Sequence, residues 1–181
     1  MKAIILSAWL VLASFSAQAD IWQTGGVQPK GELSLGGHTQ VYFDPGEFMI
    51  FGQATYGLSP QLQLELRLGG GTVGFYGGAF GKYYLFGKGD THFSVWGGFH
   101  GLKQGFFDFA PILSHEFQSA WTLYGSTLLS LPLGSGSAGL GLVPGVRFGW
   151  KKNTSIYAEF VIKIAGLYNA GSIGVRYFLS P

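Results

Sequence analysis

The sequence predicts an all-β fold: a closed antiparallel transmembrane up-and-down β-barrel of about ten strands, with eight as the alternative count. Three observations carry this expectation. Charge is scarce, with 11 basic and 9 acidic residues in 181 against 47% hydrophobic and 17% aromatic residues, whereas an ordinary soluble domain is about one quarter charged. Apolar and polar residues alternate with period two along much of the chain. Clusters of turn-forming residues cut the alternating runs at regular intervals.

The composition also excludes several classes. A disordered chain is rich in charge and poor in aromatics, the reverse of this one. With no cysteine there is no disulfide framework, thiolate metal site or cysteine nucleophile. A net charge of +2 leaves no basic footprint for nucleic acid.

The N-terminus reads as a targeting segment. Lys2 precedes an apolar stretch, Ala3 to Leu12, and Ala17-Gln18-Ala19 fits the small-x-small cleavage rule. Residues 1–19 are therefore expected to be a cleaved signal peptide and 20–181 the barrel domain, starting at Asp20. The apolar stretch is too short for a membrane-spanning helix, which takes about 20 residues. No cysteine follows the cleavage site, so lipoprotein processing is not expected.

The strands follow in order. Leu33, Leu35, Thr39, Val41 and Phe43 alternate with Glu32, Ser34, His38, Gln40 and Tyr42, giving a first strand over 31–43, closed by Asp44-Pro45-Gly46. A second, 47–58, ends at Ser59-Pro60. The third, 61–70, is the clearest: Leu62, Leu64, Leu66 and Leu68 alternate with Gln61, Gln63, Glu65 and Arg67. Helical spacing would scatter those leucines around an axis. Gly69-Gly70-Gly71 turns into a fourth strand, 73–86, and Gly87-Lys88-Gly89-Asp90 into a fifth, 91–101. Lys103-Gln104-Gly105 leads to 107–117, and a weak turn near Gln118-Ser119 to 120–132. Alternation is poorest in 105–132, and this is the region that leaves eight strands open. Gly134-Ser135-Gly136-Ser137 precedes 139–150, and Lys151-Lys152-Asn153-Thr154 precedes 155–166. Tyr168-Asn169-Ala170-Gly171 introduces the last strand, 171–179.

Charge decides which face points outward. The polar faces hold Glu32, Glu47, Glu65, Arg67, Lys82, Arg147, Glu159, Lys163 and Arg176, while the opposing faces hold almost none. A charge facing lipid costs about 2–4 kcal/mol at the bilayer midplane, so the oily face goes outward and the charges line the lumen. Closure removes the sheet edges, whose unpaired backbone groups lipid does not tolerate. Tyr56, Tyr83, Trp121, Trp150 and Tyr177 fall on outer faces near strand ends, where interfacial aromatic girdles belong. Strand glycines such as Gly78, Gly98, Gly125 and Gly145 are expected to leave room for large lumen neighbours.

The pattern over 20–181 resembles the small outer-membrane β-barrel proteins of Gram-negative bacteria, without pointing to a single family. Its most specific piece is Ser172-x-Gly174-x-x-Tyr177-x-Leu179, which is similar to the C-terminal insertion signal read by the barrel-assembly machinery. Ser180-Pro181 departs from it, since many such proteins end on an aromatic residue. The resemblance implies an outer-membrane location, membrane lipids as surroundings and the assembly machinery as the partner during insertion.

The lumen reads as nearly charge-neutral and filled. Tyr42, Phe51, Tyr76, Phe80, Tyr84 and Trp96 all point inward in this register, and a barrel of about eight strands is already filled by its own side chains. The expected role is structural, or that of a narrow passive channel, with a monomer as the working unit. Two other classes are open. His92-x-Ser94 has the spacing seen in an outer-membrane lipid A deacylase, where the histidine activates the serine. Val95, however, stands where that family carries an asparagine. A soluble secreted ligand-binding barrel shares the same period. His115 and Glu116 are adjacent on a strand, point to opposite faces and cannot ligate together. His38 and His100 read as lone lumen histidines. No cofactor or metal site is expected.

Overall fold

The computed structural model describes residues 24–101, 104–118 and 120–179. The expected signal peptide and Ser180-Pro181 lie outside the described residues. Ten strands form: β1 (Leu33–Tyr42), β2 (Phe48–Gly57), β3 (Leu62–Gly71), β4 (Gly74–Lys88), β5 (Thr91–Gly101), β6 (Gly105–Phe117), β7 (Trp121–Pro132), β8 (Gly139–Lys151), β9 (Thr154–Ala165) and β10 (Ala170–Leu179). Each pairs antiparallel with its chain neighbours, and β1 pairs with β10, so the sheet closes. Leu33 stands opposite Tyr56 on one side and Leu179 on the other. The count is ten, and the eight-strand alternative is excluded. We call the end where β1 starts the lower end.

The uncertain stretch, 105–132, forms two regular strands, β6 and β7. Their alternation is faint in the sequence because apolar residues stand on both faces. Phe106, Ala110, Ile112 and Leu128 are buried inside while Phe109, Leu113, Leu123 and Leu131 lie outside. The turn between them was weak in sequence because Gln118, not glycine or asparagine, takes the left-handed conformation at φ 53°. In β4 the partner register shifts between Tyr84 and Phe86, a bulge that carries the strand to Lys88, past the expected end at 86.

Burial runs opposite to that of a soluble protein. On β3, Leu64, Leu66 and Leu68 are 45%, 60% and 62% exposed, whereas Glu65 and Arg67 are 2% and 0% exposed. The connections are short at both ends; the longest between described strands runs from 133 to 138.

Candidate functional site

The candidate site is the lumen, and its lower end is occupied by chain from outside the sheet. Thr24, Gly25 and Gln28 are buried among the strand walls. The Gly25 amide donates to Ser114 Oγ on β6 at 2.8 Å, and the Gln28 amide donates to Gln63 Oε1 on β3 at 3.0 Å. Ser34 Oγ donates to Gln28 Oε1 at 2.9 Å. Lys82 Nζ, reaching in from β4, donates to the Thr24 carbonyl at 2.9 Å and to the Gly26 carbonyl. Glycine is required at 25, since a Cβ there would lie 2.3 Å from the His92 carbonyl oxygen. Sequence periodicity gave no sign of this segment because it makes no ladder.

Above it lies a polar network. Glu65 and Arg67 are two apart on β3, so both point inward, and Arg67 Nε meets Glu65 Oε1 at 2.6 Å. Gln53 Nε2 donates to the other oxygen, Glu65 Oε2, at 2.7 Å, and to Thr55 Oγ1 at 3.0 Å. The Arg67 guanidinium also stands 5.1 Å from the Phe80 ring centroid and 5.4 Å from that of Trp96. Those two rings stack at 4.5 Å. Such contacts hold a charge that has lost its water. Across the lumen the buried Glu159 accepts a hydrogen bond from Tyr124 Oη at 2.9 Å. Gly145 makes room for that tyrosine: a Cβ there would fall 2.2 Å from the ring. Gly125, by contrast, has open space around it.

Higher still, a belt of rings follows the wall from β1 to β6. His38 meets Phe51 at 4.7 Å, Phe51 meets Tyr76 at 4.8 Å, Tyr76 stacks on His100 at 5.3 Å, and His100 stacks on Phe106 at 5.2 Å. His100 is not the lone histidine expected. Its Nδ1 lies 2.9 Å from Asp108 Oδ2, with both side chains fully buried. Asp108 was missed in the charge inventory because it stands inside an aromatic run, Phe106 to Phe109, with no polar neighbours to mark the inward face. The facing wall is apolar, with Ile112, Leu128, Val143, Val161 and Leu167 all buried.

The nine expected lumen charges thus divide. Glu65, Arg67, Lys82, Glu159 and Arg176 are buried. Arg147 is half-buried and meets Glu116 at 3.5 Å near the lower mouth. Glu32 and Glu47 require correction: each precedes its strand and sits half-buried on a rim. Lys163 also requires correction, because it is exposed. The pairing of β9 with β10 stops at Val161, and Leu167 from the following turn fills the space beside Gly139 and Gly141. At the upper rim, burial and the carboxylates of Glu47 and Asp44 raise the Tyr168 phenol above the ordinary tyrosine value.

His92 and Ser94 share the inward face of β5 without forming a dyad. Among the described residues Ser94 Oγ is buried with no hydrogen-bond partner, and the His92 ring approaches Tyr84, its Nδ1 3.5 Å from the phenol oxygen. His115, on the outward face, contacts Thr91 Oγ1 at 2.9 Å. Among the described residues, no group of three or more histidines and carboxylates is placed to hold a metal ion.

On the outside, Tyr56, Tyr83, Trp121, Trp150 and Tyr177 are all exposed, and all stand toward the lower end. Register fixes this: Tyr56 and Tyr177 flank the start of β1, and Tyr83 faces Leu62, the first residue of β3. The upper end instead exposes Phe43, Phe48, Phe75 and Phe99. On β10, Tyr177 and Leu179 point outward while Ser172 and Gly174 are buried.

No family model and no curated protein matches the chain. Among solved structures it is similar to a de novo designed transmembrane β-barrel, with 14% identity, 84% of this chain and 99% of that one covered, and a TM-score of 0.48. It is also similar to the N-terminal β-barrel domain of Pseudomonas aeruginosa OprF, at 13% identity with 84% and 100% covered and a TM-score of 0.45. A third is KdgM porin, at 12% identity with 81% and 98% covered and a TM-score of 0.49.

Proposed function

We propose that the chain is an integral β-barrel of the bacterial outer membrane whose lumen is closed by its own side chains and N-terminal segment. Its role on this reading is that of a structural membrane protein. The inverted burial of β3 carries the reading: leucines cover the outside and a Glu–Arg pair is sealed within. Water would reward the opposite arrangement, while lipid rewards this one. The test is refolding into detergent and lipid vesicles. The expected result is a compact, fast-migrating unboiled band that is protected from protease in vesicles. A chain that stays folded and soluble without detergent would instead establish the soluble ligand-binding barrel.

A narrow passive channel is the second reading, favoured by the lower mouth, where hydrogen bonds with Ser34, Ser114, Gln63 and Lys82 hold the segment 24–28. Planar-bilayer conductance separates the two: a silent bilayer fits the closed barrel, and discrete steps fit the channel. The lipid-modifying reading lacks support, since His92 and Ser94 share no hydrogen bond; replacing Ser94 by alanine is expected to leave lipid A mass unchanged.

A further inference from the structure

The lower mouth encloses a polar cavity of about 160 Å³, against about 30 Å³ for a water molecule in the liquid. Thr24, Gly26 and Gln28 of the N-terminal segment line it together with Lys82, Arg147 and Arg176 of the strand walls. One carboxylate, Glu116, joins these three cations in the lining. Its side chain is 42% exposed, and it reaches Arg147 only at 3.5 Å, beyond the 2.7–2.9 Å or so of a charge-assisted hydrogen bond.

The lining also holds donors without acceptors. Gln28 is 5% exposed and uses its Oε1 on Ser34, while its Nε2 has no hydrogen-bond partner among the described residues. Arg147, whose side chain is 24% exposed, also has a buried Nε without a partner among the described residues. Lys82 gives two of its three N–H groups to the carbonyls of Thr24 and Gly26. Buried donors are ordinarily satisfied, and a cavity where several converge beside excess positive charge is complementary to an acceptor that carries negative charge.

We propose that this vestibule binds a small soluble oxyanion, of the phosphate or carboxylate class, between Lys82, Arg147 and Gln28. The donors face the lumen, so the anion arrives from the aqueous side and not as a lipid headgroup. A site of this kind needs a folded barrel and not a conducting one, so it stands apart from the choice between plug and channel.

The test titrates inorganic phosphate into the folded chain in lipid-free nonionic detergent, at ionic strength held constant with chloride. The readout is the NMR signals of the Arg147 Nε–H and Gln28 side-chain amide. Saturable shifts of both are expected. Arg147→Gln should weaken binding by about tenfold, the worth of one charge-assisted donor. Glu116→Gln should tighten it, because it removes the competing carboxylate. A wild-type titration without saturation overturns the proposal, as does unchanged affinity in Arg147→Gln that still shows the folded gel mobility. Should Arg147→Gln not fold, Glu116→Gln decides, and affinity there that is unchanged or weaker overturns the proposal.

Discussion

The Lys82 ammonium on β4 donates to the backbone carbonyl of Thr24 at 2.9 Å, joining positions 58 residues apart. A strand in the barrel wall thereby holds a segment that belongs to no strand. The side chain is almost wholly buried, so the contact replaces the water that the charge has lost.

Lys82→Met should therefore release the segment. Hydrogen bonds to a charged group are worth about 1.5–3 kcal/mol each, and this lysine makes two to the segment. Limited proteolysis of the barrel in vesicles should show faster cleavage within 20–32 in the variant than in wild type. Equal protection would mean that the contacts from Gln63 and Ser114 hold the segment without help.

Arg67→Met should destabilise the barrel by about 3–5 kcal/mol, because it takes from the buried Glu65 carboxylate its ion-pair partner. The double variant Glu65→Gln with Arg67→Met should recover part of that loss. Guanidinium unfolding in detergent measures both, and additive losses would show that the pair is not coupled.

Gly145→Ala should push Tyr124 away from Glu159, given the 2.2 Å approach of a Cβ to the ring. Overpacking of this kind costs about 1–3 kcal/mol. Gly125→Ala, with open space around the position, serves as the control. A loss at 145 no larger than at 125 would contradict the packing described.

Leu66→Arg places a charge on the exposed face of β3. In a lipid bilayer it should cost about 2–4 kcal/mol relative to Leu66→Ala if the position lies near the midplane. A neutral or stabilising effect would argue that this face meets water.

Much of this molecule is legible in its sequence, and the parts that are not share a cause. On β3, one face is leucine and the other carries Gln63, Glu65 and Arg67, so period two marks strand, register and orientation at once. On β6 the lumen side is Phe106, Ala110 and Ile112, as oily as the outside, and the same periodicity fades although the strand is regular. Asp108 disappeared there, and with it the partner of His100, which meets it from the neighbouring strand.

The sequence by itself marked the strands outside 105–132, the outward face and the inward places of Glu65, Arg67, Lys82, Glu159 and Arg176. Alternation is a local property, and sparse charge needs no contact map to read. Tertiary structure decided what each charge meets and what fills the lumen. Closure of β1 on β10 and the entry of residues 24–28 bring together groups from across the chain. It also decided that Lys163 is exposed, beyond the point where pairing with β10 ends, and that the exposed tyrosines and tryptophans gather at one end. Those outcomes depend on the register between strands, which pairing across the closed sheet sets and no single strand encodes.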